Sequence, residues 1–280
     1  MGRKYMFILI VIIVVAAGFA VYIQRHGTAS TSSNVGISAG QAILIDGDSG
    51  KVLYEKCADE RAYPASTTKI MTALITIEVL KENDSPIEQT VKIPAEAEGV
   101  EGSSIYLKAG EKISIEDLLY GLMLMSGNDA ATALAEIIGG SEERFVEMMN
   151  EKAEKLGCKG THFANPSGLF DENHYTTVRD MAVISREAMK DPAFREIVAT
   201  QSRKAARPDS DHITFHNKNK TVFEYEGGNG IKIGYTTDSG RTLVASSERN
   251  GRSMICVVMS APDWFNDAYR LMDYGYNNTK

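Results

Sequence analysis

Hydrophobic residues dominate the stretch that follows Lys69. From Ile70 to Leu80, eight of eleven residues are apolar, and only two threonines and one glutamate interrupt them. A helix that is apolar nearly all round is a buried helix, so the pattern predicts a buried helix that begins near Ser66. Ser66 and Lys69 are three residues apart, a spacing that places two side chains on one helix face about a turn apart.

Alternating patterns predict strands near both ends of the chain. Residues 41–57 alternate around an Asp-Ser-Gly sequence, which predicts a hairpin with a glycine-assisted turn. In the last third, four segments alternate or run apolar between glycine-containing turns: 220–226, 230–237, 241–247 and 253–260. These segments predict an antiparallel meander. The early hairpin has no partner unless it joins that meander.

Capping residues predict the helices between these strands. Ser114 is followed by two acidic residues, a pattern typical of the first turn of a helix. Ser126 and Gly127 interrupt that helix, and Asn128 restarts it until a double glycine. The predicted helices cover residues 114–125, 128–140, 141–157, 177–189 and 261–276.

The segments without periodicity complete the predicted architecture. Residues 91–110 are predicted as a loop with a short strand pair. Residues 161–176 carry turn residues and no period, and a loop of that length in a compact domain is usually functional. Together these elements predict one α+β domain over residues 40–280, in which a helical cluster packs on an antiparallel sheet made from both chain ends.

The N-terminal segment has the character of a membrane anchor. Arg3 and Lys4 precede an apolar run from Met6 to Ile23, eighteen residues with no charge. A helix of that length spans ~27 Å, close to the ~30 Å hydrocarbon core of a bilayer. The apolar region of a secretory signal is shorter, about 7 to 15 residues. We therefore predict an uncleaved anchor at residues 1–25, with a cleaved signal as the alternative, and both place the following residues outside the cytoplasm.

Charge and composition narrow the range of partners. Residues 26–39 are small and polar, which predicts a flexible tether. The chain has a formal net charge of −7, and residues 1–25 contain three basic residues and no acid, so the remainder carries −10. Because nucleic-acid binding draws on positive surface, no nucleic-acid partner is predicted.

The cysteines and histidines predict no metal site. Cys57, Cys158 and Cys256 are odd in number and lack metal-ligand spacing, so they are predicted to be isolated buried thiols and not a disulfide framework. His212 and His216 are four residues apart but lack the glutamate of a zinc-binding helix. No metal and no cofactor are therefore expected.

A serine and an amine held together near a domain interior can carry out nucleophilic catalysis. Desolvation disfavours the charged form of a lysine, so Lys69 could act as a base towards Ser66. Two further triplets follow in the chain: Ser126-Gly127-Asn128 at a break between helices, and Lys232-Ile233-Gly234 on a strand after a glycine-rich turn. Each triplet alone is weak. Their order and settings match the S-x-x-K, S-x-N and K-T-G motifs of penicillin-binding proteins and serine β-lactamases.

Four longer segments extend the match beyond these motifs. They are PASTTKIMTALITIE, LMSGNDAATALAE, NEKAEKLGCKGTHFANPSGLFDENHYTTVRDMA and GGNGIKIGYTTDSGRTLVASS. In this order they closely resemble the serine-type D-alanyl-D-alanine carboxypeptidases, the low-molecular-weight penicillin-binding proteins, over about residues 38–275. The resemblance implies a β-lactamase/transpeptidase-like fold with the active site between the sheet and the helical cluster.

The resemblance also implies a role for each motif residue. Ser66 would attack the carbonyl of the penultimate D-Ala and form an acyl-enzyme, and Lys69 would accept its proton. Ser126 would relay a proton to the departing D-Ala nitrogen. Backbone N–H groups of Ser66 and Tyr235 would form the oxyanion hole. The implied substrate-binding residues are Asn128, Lys232, Gly234, Tyr235 and Thr236.

One motif departs from the family pattern. Lys232 would supply positive charge for the terminal carboxylate of the peptide, but Ile233 stands where the family usually has threonine. The missing hydroxyl would contact that carboxylate, and a lost hydrogen bond to a charged group costs ~1.5–3 kcal/mol, or roughly ten- to a hundredfold in binding. Thr236 and Thr237 are the candidates to compensate.

The resemblance implies a peptidoglycan stem peptide as substrate and β-lactam antibiotics as inhibitors, at a bacterial cell membrane with the catalytic domain on the extracytoplasmic side. Two other functions remain open. A β-lactamase of this fold needs a deacylating base, and the loop at residues 161–176 lacks the E-x-x-L-N motif of class A enzymes. A non-catalytic cell-wall receptor would not need a nucleophile with its base. The sequence does not separate carboxypeptidase from endopeptidase action.

Overall fold

The described chain is organised around a five-stranded antiparallel sheet. The computed structural model describes residues 35–208 and 210–278. The strands are β1 (Gln41–Asp46), β2 (Val52–Lys56), β3 (Thr90–Lys92), β4 (Lys112–Ser114), β5 (Ser202–Lys204), β6 (Thr214–His216), β7 (Gly228–Thr236), β8 (Gly240–Arg249) and β9 (Arg252–Met259). The main sheet has the order β2-β1-β9-β8-β7, so the early hairpin joins the late meander. The predicted α+β class is confirmed.

The helices pack on both faces of this sheet. They are α1 (Lys69–Glu82), α2 (Ile115–Tyr120), α3 (Asn128–Gly139), α4 (Glu142–Lys155), α5 (Val178–Ala188), α6 (Pro192–Ala199), α7 (Thr221–Glu224) and α8 (Trp264–Asn278). Helix α1 is buried along most of its length and contacts α3, α4 and α5. The buried helix predicted from its apolar composition is therefore confirmed.

Strand β9 shows how the two faces are built. Ile255, Val257 and Met259 belong to the larger core, which lies under the helical cluster around α1. Cys256 and Val258 belong to a second core between the sheet and α8. Successive side chains of a strand point to opposite faces, and every one of these five residues is buried. The central strand is therefore apolar without interruption, because both of its faces are covered.

The capping predictions hold at the helix starts. The side chains of Ser114, Ser141 and Thr177 each accept a hydrogen bond from the backbone N–H three residues later, which satisfies a free donor of the first turn. Helix α2 passes into a π-helical segment at Gly121–Met125 before the predicted interruption. The helix predicted at 114–125 thus changes type near its end.

The end of the predicted tether is ordered against α8. Ser38 donates from its backbone N and its hydroxyl to the two carboxylate oxygens of Asp267, at 2.9 and 2.7 Å. Arg270 donates to the carbonyl oxygen of Gly36 at 3.1 Å. Asp267 is fully buried and gains the donors that a buried carboxylate needs. The flexible tether predicted over residues 26–39 therefore does not extend to residue 39.

The region before β7 differs from the prediction. The strand predicted at 220–226 is the short helix α7, whose start is fixed by the Asn219 side chain accepting from the Thr221 N–H at 3.1 Å. Helix α6 and the β5–β6 hairpin were not predicted. The signal for α6 was present, because Asp191 caps it and Pro192 stands at its first position.

Two smaller predictions also change. The strand pair expected within 91–110 forms instead between β3 and β4, which lie at the two ends of that loop. Cys57 is exposed, whereas Cys158 and Cys256 are buried, and all three thiols are free. Cys57 directly follows the last residue of β2, has a positive φ, and lies outside both cores.

The predicted anchor at residues 1–25 lies outside the described residues. From residue 35 to residue 278, leaving out residue 209, none of the helices has the length and apolar character to cross a bilayer.

Candidate active site

The nucleophile candidate sits on a tight turn that leads into α1. Residues Ala65–Thr68 form a 3₁₀ turn, and α1 continues from Lys69. The hydroxyls of Thr67 and Thr242 both donate to the carbonyl oxygen of Pro64, at 2.7 and 3.1 Å. The second of these bonds connects the turn to β8. The position of Ser66 is therefore fixed by the sheet as well as by its own helix.

Lys69 makes three short contacts through its amine. Its Nζ lies 3.0 Å from Ser66 Oγ, and it donates to Asn128 Oδ1 at 2.7 Å and to the carbonyl oxygen of Ser167 at 2.6 Å. The lysine is fully buried, whereas Ser66 is half-buried. Solvent can therefore reach the serine of the motif but cannot reach its lysine.

The surroundings of Lys69 favour its neutral form. Burial lowers the pKa of Lys69 well below its usual value, and the nearby ammonium groups of Lys232 and Lys218 lower it further, against an opposing effect of Asp129. In the neutral form the amine has two N–H donors for the two carbonyl-type oxygens and one lone pair that can accept the Ser66 hydroxyl.

Ser126 and Asn128 lie where the π-helical segment meets α3. Ser126 has φ +65° in the left-handed region, an uncommon conformation for a residue other than glycine. Within the described residues its hydroxyl accepts or donates no hydrogen bond to another side chain. Asn128 donates from Nδ2 to the carbonyl oxygen of Glu101 at 2.7 Å, while its Oδ1 accepts from Lys69. The break in the helix thus brings the Asn128 side chain to the Lys69 amine.

Strand β7 closes the site from the other side. A Cβ on Gly234 would lie 2.8 Å from the Ser66 backbone nitrogen and 2.5 Å from Thr242 Oγ1, so only glycine allows this approach. Lys232 is buried, and its Nζ donates to the carbonyl oxygen of Ile233 at 3.2 Å. Burial, with a smaller contribution from Lys218, lowers the pKa of Lys232 to about 7.

The remaining predicted residues of β7 differ in their accessibility. Tyr235 is 64% exposed. The Thr236 hydroxyl is engaged with Ser239, to which it donates at 2.9 Å. Ile233 packs against the core beneath α8, and Lys232 belongs to the opposite face, since neighbouring strand residues alternate. Ile233 therefore contributes packing at the position where the family motif has a hydroxyl.

Comparison with known proteins identifies the family. A family model described as D-alanyl-D-alanine carboxypeptidase matches residues 28–263. The chain belongs to the D-alanyl-D-alanine carboxypeptidase family. It is 38% identical over 230 residues to the D-alanyl-D-alanine carboxypeptidase DacF of Bacillus subtilis (strain 168), which covers 82% of this chain and 59% of the relative. The chain thus spans about three-fifths of the length of that relative.

Solved structures of this family share the fold. The D-alanyl-D-alanine carboxypeptidase DacD of Francisella tularensis matches with a TM-score of 0.81 and 28% identity, over 87% of this chain and 71% of the other. The Streptomyces K15 DD-transpeptidase matches with a TM-score of 0.79 and 33% identity, over 86% of this chain and 98% of the other. The carboxypeptidase-family resemblance predicted from the four segments is confirmed.

Sequence reasoning missed several groups that shape this carboxypeptidase-family site. The carbonyl oxygen of Ser167 and the buried His174 both come from the loop at 161–176, which was predicted to be functional without a named residue. His174 lies 2.7 Å from Thr68 Oγ1 through Nε2, and its Nδ1 accepts from the Ala164 N–H at 3.1 Å. Burial lowers the pKa of His174 to about 4, so this ring is a neutral support for the turn that carries Ser66.

Lys218 is the other group that sequence reasoning missed. Its Nζ donates to the carbonyl oxygen of Met125 at 2.9 Å, next to Ser126. The side chain is exposed, and it lowers the pKa of both Lys69 and Lys232 by charge repulsion. No motif carries this lysine, and only the fold brings it to the site.

Proposed function

We propose that this protein is a serine D-Ala-D-Ala carboxypeptidase that removes the terminal D-Ala from peptidoglycan stem peptides through an acyl-enzyme on Ser66. The observation that carries the proposal is the 3.0 Å contact between Ser66 Oγ and the buried amine of Lys69. A serine hydroxyl is a weak nucleophile until a base within hydrogen-bond distance removes its proton. The lowered pKa of Lys69 increases the fraction of neutral amine that can act as the base.

Acylation would proceed in two steps. Lys69 takes the hydroxyl proton as Ser66 Oγ attacks the carbonyl carbon of the penultimate D-Ala. The backbone N–H groups of Ser66 and Tyr235 stabilise the resulting oxyanion, and one such donor is worth about 2.7–4 kcal/mol. The proton then passes through Ser126 to the D-Ala nitrogen as the peptide bond breaks. The unengaged hydroxyl of Ser126 supports this relay role.

Substrate binding would use the opposite wall of the site. Lys232 supplies positive charge for the terminal carboxylate, and Gly234, Tyr235 and Thr236 line the strand along which the peptide lies. Asn128 holds the substrate amide, which requires its Oδ1 or Nδ2 to exchange one of the bonds that it makes to Lys69 and Glu101. Water then attacks the ester and releases the shortened peptide.

The acceptor of the acyl group separates related reactions. The Streptomyces K15 relative is named a DD-transpeptidase, and an amine in place of water would convert the same acyl-enzyme into a transfer product. A β-lactamase of this fold is less well supported, because the loop at 161–176 gives Lys69 a backbone carbonyl and not a carboxylate. β-Lactams would acylate Ser66 as slow substrates.

The proposed location is the extracytoplasmic side of the cell membrane, with residues 1–25 as anchor.

The test is release of D-alanine from a peptide ending in D-Ala-D-Ala, using the full chain in detergent. We expect Ser66→Ala to abolish both D-Ala release and the covalent adduct with a fluorescent penicillin, while Ser85→Ala, a half-buried serine elsewhere, retains both. Near-identical circular dichroism of the two variants would show that the fold is kept. Adduct formation by Ser66→Ala would mean that the nucleophile is another residue. A penicillin adduct without D-Ala release would favour the receptor, and rapid penicillin turnover would favour a β-lactamase.

A further inference from the structure

A short turn at residues 165–169 lies along the helix that carries the proposed base. The Thr72 hydroxyl donates to the carbonyl oxygen of Pro166, and the Lys69 amine donates to the carbonyl oxygen of Ser167, both at 2.6 Å. Thr72 and Lys69 are three residues apart in α1, so their side chains lie on one face of that helix. Helix α1 therefore binds two successive carbonyl groups of the turn through two neighbouring side chains.

The next residue of the turn approaches the segment that carries the nucleophile. Gly168 has φ +86°, and a Cβ at this position would lie 1.9 Å from the carbonyl oxygen of Ala65 and 2.9 Å from Thr68 Oγ1. A side chain here would push the turn away from the residues on either side of Ser66, and the positive φ also favours glycine. The turn therefore lies close to the nucleophile segment as well as to the base.

Asn165 holds the turn in shape from its first position. Its Oδ1 accepts from the backbone N–H groups of Ser167 and Gly168, at 3.2 and 2.8 Å, and from Ser167 Oγ at 3.1 Å. Its Nδ2 donates to the carbonyl oxygen of Leu169 at 2.9 Å. Asparagine side chains stabilise turns through such bonds to the backbone that follows them. All of these bonds end within the turn, so Asn165 fixes the direction of the Ser167 carbonyl.

The Ser167 carbonyl determines how the Lys69 amine can face the nucleophile. In its neutral form the amine has two N–H groups, which Asn128 Oδ1 and the Ser167 carbonyl oxygen accept at 2.7 and 2.6 Å. The remaining lone pair can then point to Ser66 Oγ, which lies 3.0 Å from Nζ. If the carbonyl moved, the amine could rotate about its Cε–Nζ bond, and the lone pair would no longer be directed at the hydroxyl. Misplacement of a reacting group can slow a reaction by up to about a hundredfold.

We propose that Thr72 and Asn165 are positioning residues for the catalytic base. Through their bonds to the turn they keep the Ser167 carbonyl in place against Lys69, and the lone pair of the amine is thereby directed at Ser66. Neither residue touches the substrate or the reacting atoms in this proposal. The inference rests on the proposed acyl-enzyme chemistry and adds to it the groups that orient the base.

Two buried threonines of α1 provide a matched pair of variants. Thr72 and Thr76 are both fully buried, but the Thr76 hydroxyl donates within the helix, to the carbonyl oxygen of Thr72 at 2.8 Å. Thr72→Val and Thr76→Val each remove one buried hydrogen bond at nearly constant volume, so their melting temperatures should fall by similar amounts. Only Thr72→Val removes a bond to the turn, which separates a loss of positioning from a loss of stability.

The first measurement is the rate constant of the acylation step, taken with the full chain in detergent and a saturating fluorescent penicillin. It is compared at pH values where the rate no longer rises with pH, so that the charge state of Lys69 does not enter. In Thr72→Val and in Asn165→Ala we expect this rate constant to fall about tenfold. Thr72→Ser, which keeps a hydroxyl, should recover most of the loss, and Thr76→Val should match the wild type.

A second measurement does not depend on acylation. With lysines carrying a carbon-13 label at Cε, an NMR titration gives the pKa of Lys69, whose signal is assigned by its loss in Lys69→Arg. Because a carbonyl acceptor stabilises the protonated amine, the pKa of Lys69 should fall in Thr72→Val and in Asn165→Ala but not in Thr76→Val. All of these valine and alanine variants keep the charged groups that act on the amine: Lys232, Lys218 and Asp129.

The outcomes separate this inference from the proposed function. An unchanged acylation rate constant in Thr72→Val or in Asn165→Ala, or an equal loss in Thr76→Val, would overturn the positioning role while leaving Ser66-dependent acylation intact. A wild type that forms no Ser66-dependent adduct would overturn the proposed function instead. In that case an unchanged pKa of Lys69 in the two variants would overturn the positioning role as well.

Discussion

Replacing Asn128 by aspartate should hold Lys69 in its protonated form, in which it cannot act as a base. The side chain at position 128 would keep nearly the same shape. Asn128 Oδ1 lies 2.7 Å from Lys69 Nζ, so Asn128→Asp would place a carboxylate against the amine. At 2.7 Å and an effective dielectric constant of about 20, two unit charges attract by roughly 6 kcal/mol, before the cost of burying the new charge is subtracted. Each 1.36 kcal/mol that remains raises the pKa of Lys69 by about one unit.

The expected result is a protonated Lys69 at neutral pH and a loss of acylation. If only about half of that attraction survives desolvation, the pKa of Lys69 rises by about two units, and acylation at pH values below both the old and the new pKa falls by roughly a hundredfold, with a smaller loss near pH 7. The sign of the pH dependence follows from the charge. Because the variant raises the pKa of the base, the rate should recover as pH increases and the lysine loses its proton. Asn128→Ala is the control, since it removes the same hydrogen bonds without adding a charge.

The assay is the second-order rate constant for formation of the fluorescent penicillin adduct, measured from pH 6 to pH 10 for the wild type and both variants. We expect the acidic limb of the profile to move to higher pH in Asn128→Asp only. An aspartate variant that acylates at the wild-type rate at pH 7 would refute the reasoning. So would profiles of the same shape in the two variants, because then the charge state of Lys69 would not control the rate.

Two further predictions concern pH. The pKa of Lys232 is about 7, so its positive charge is lost as pH rises through that value. We therefore expect KM for a D-Ala-D-Ala peptide to increase above pH 7 in the wild type. The increase should be smaller in Lys232→Arg. Equal slopes in steady-state assays would argue against Lys232 as the carboxylate partner. The pKa of His174 falls from 6.5 to about 4 on folding, so the unfolded chain binds more protons between those values and the free energy of unfolding should drop by about 3 kcal/mol as pH falls through that window. Urea unfolding at pH 7 and pH 4 should show a smaller drop in the free energy of unfolding for His174→Gln than for the wild type. An unchanged drop would mean that His174 does not cause it.

The central pair of the site was predictable from the sequence because its geometry is local. Three-residue spacing at the head of an apolar helix brings Ser66 and Lys69 together, and the observed contact of 3.0 Å agrees with it. The joining of the first hairpin to the last meander was also predictable, since exposed apolar strands need a partner. The catalytic and binding roles of the residues remain predictions.

The rest of the site depends on contacts that leave no local pattern. Asn128 was assigned to the substrate, yet the structure also bonds it to Lys69, a contact across 59 residues of chain. The carbonyl oxygen of Ser167 is a backbone group, so no side-chain pattern identifies it. Lys218 is one exposed lysine among many by sequence. Ile233 was considered only for the hydroxyl that it lacks, whereas its packing beneath α8 follows from the alternation of β7.

The pairing of β1 with β9 has a consequence for when the site forms. Gln41 of β1 pairs with Met259 of β9, more than two hundred residues later in the chain. Closing a loop of that length costs roughly 2.5 kcal/mol more conformational entropy than closing one of ten residues, and long-range pairings of this kind slow folding. Gly234 approaches Ser66 from β7, which joins β1 through β8 and β9. A chain that has folded only its first half therefore holds Ser66 and Lys69 but not the strand that closes the site, so we expect the site to be completed at a late step of folding.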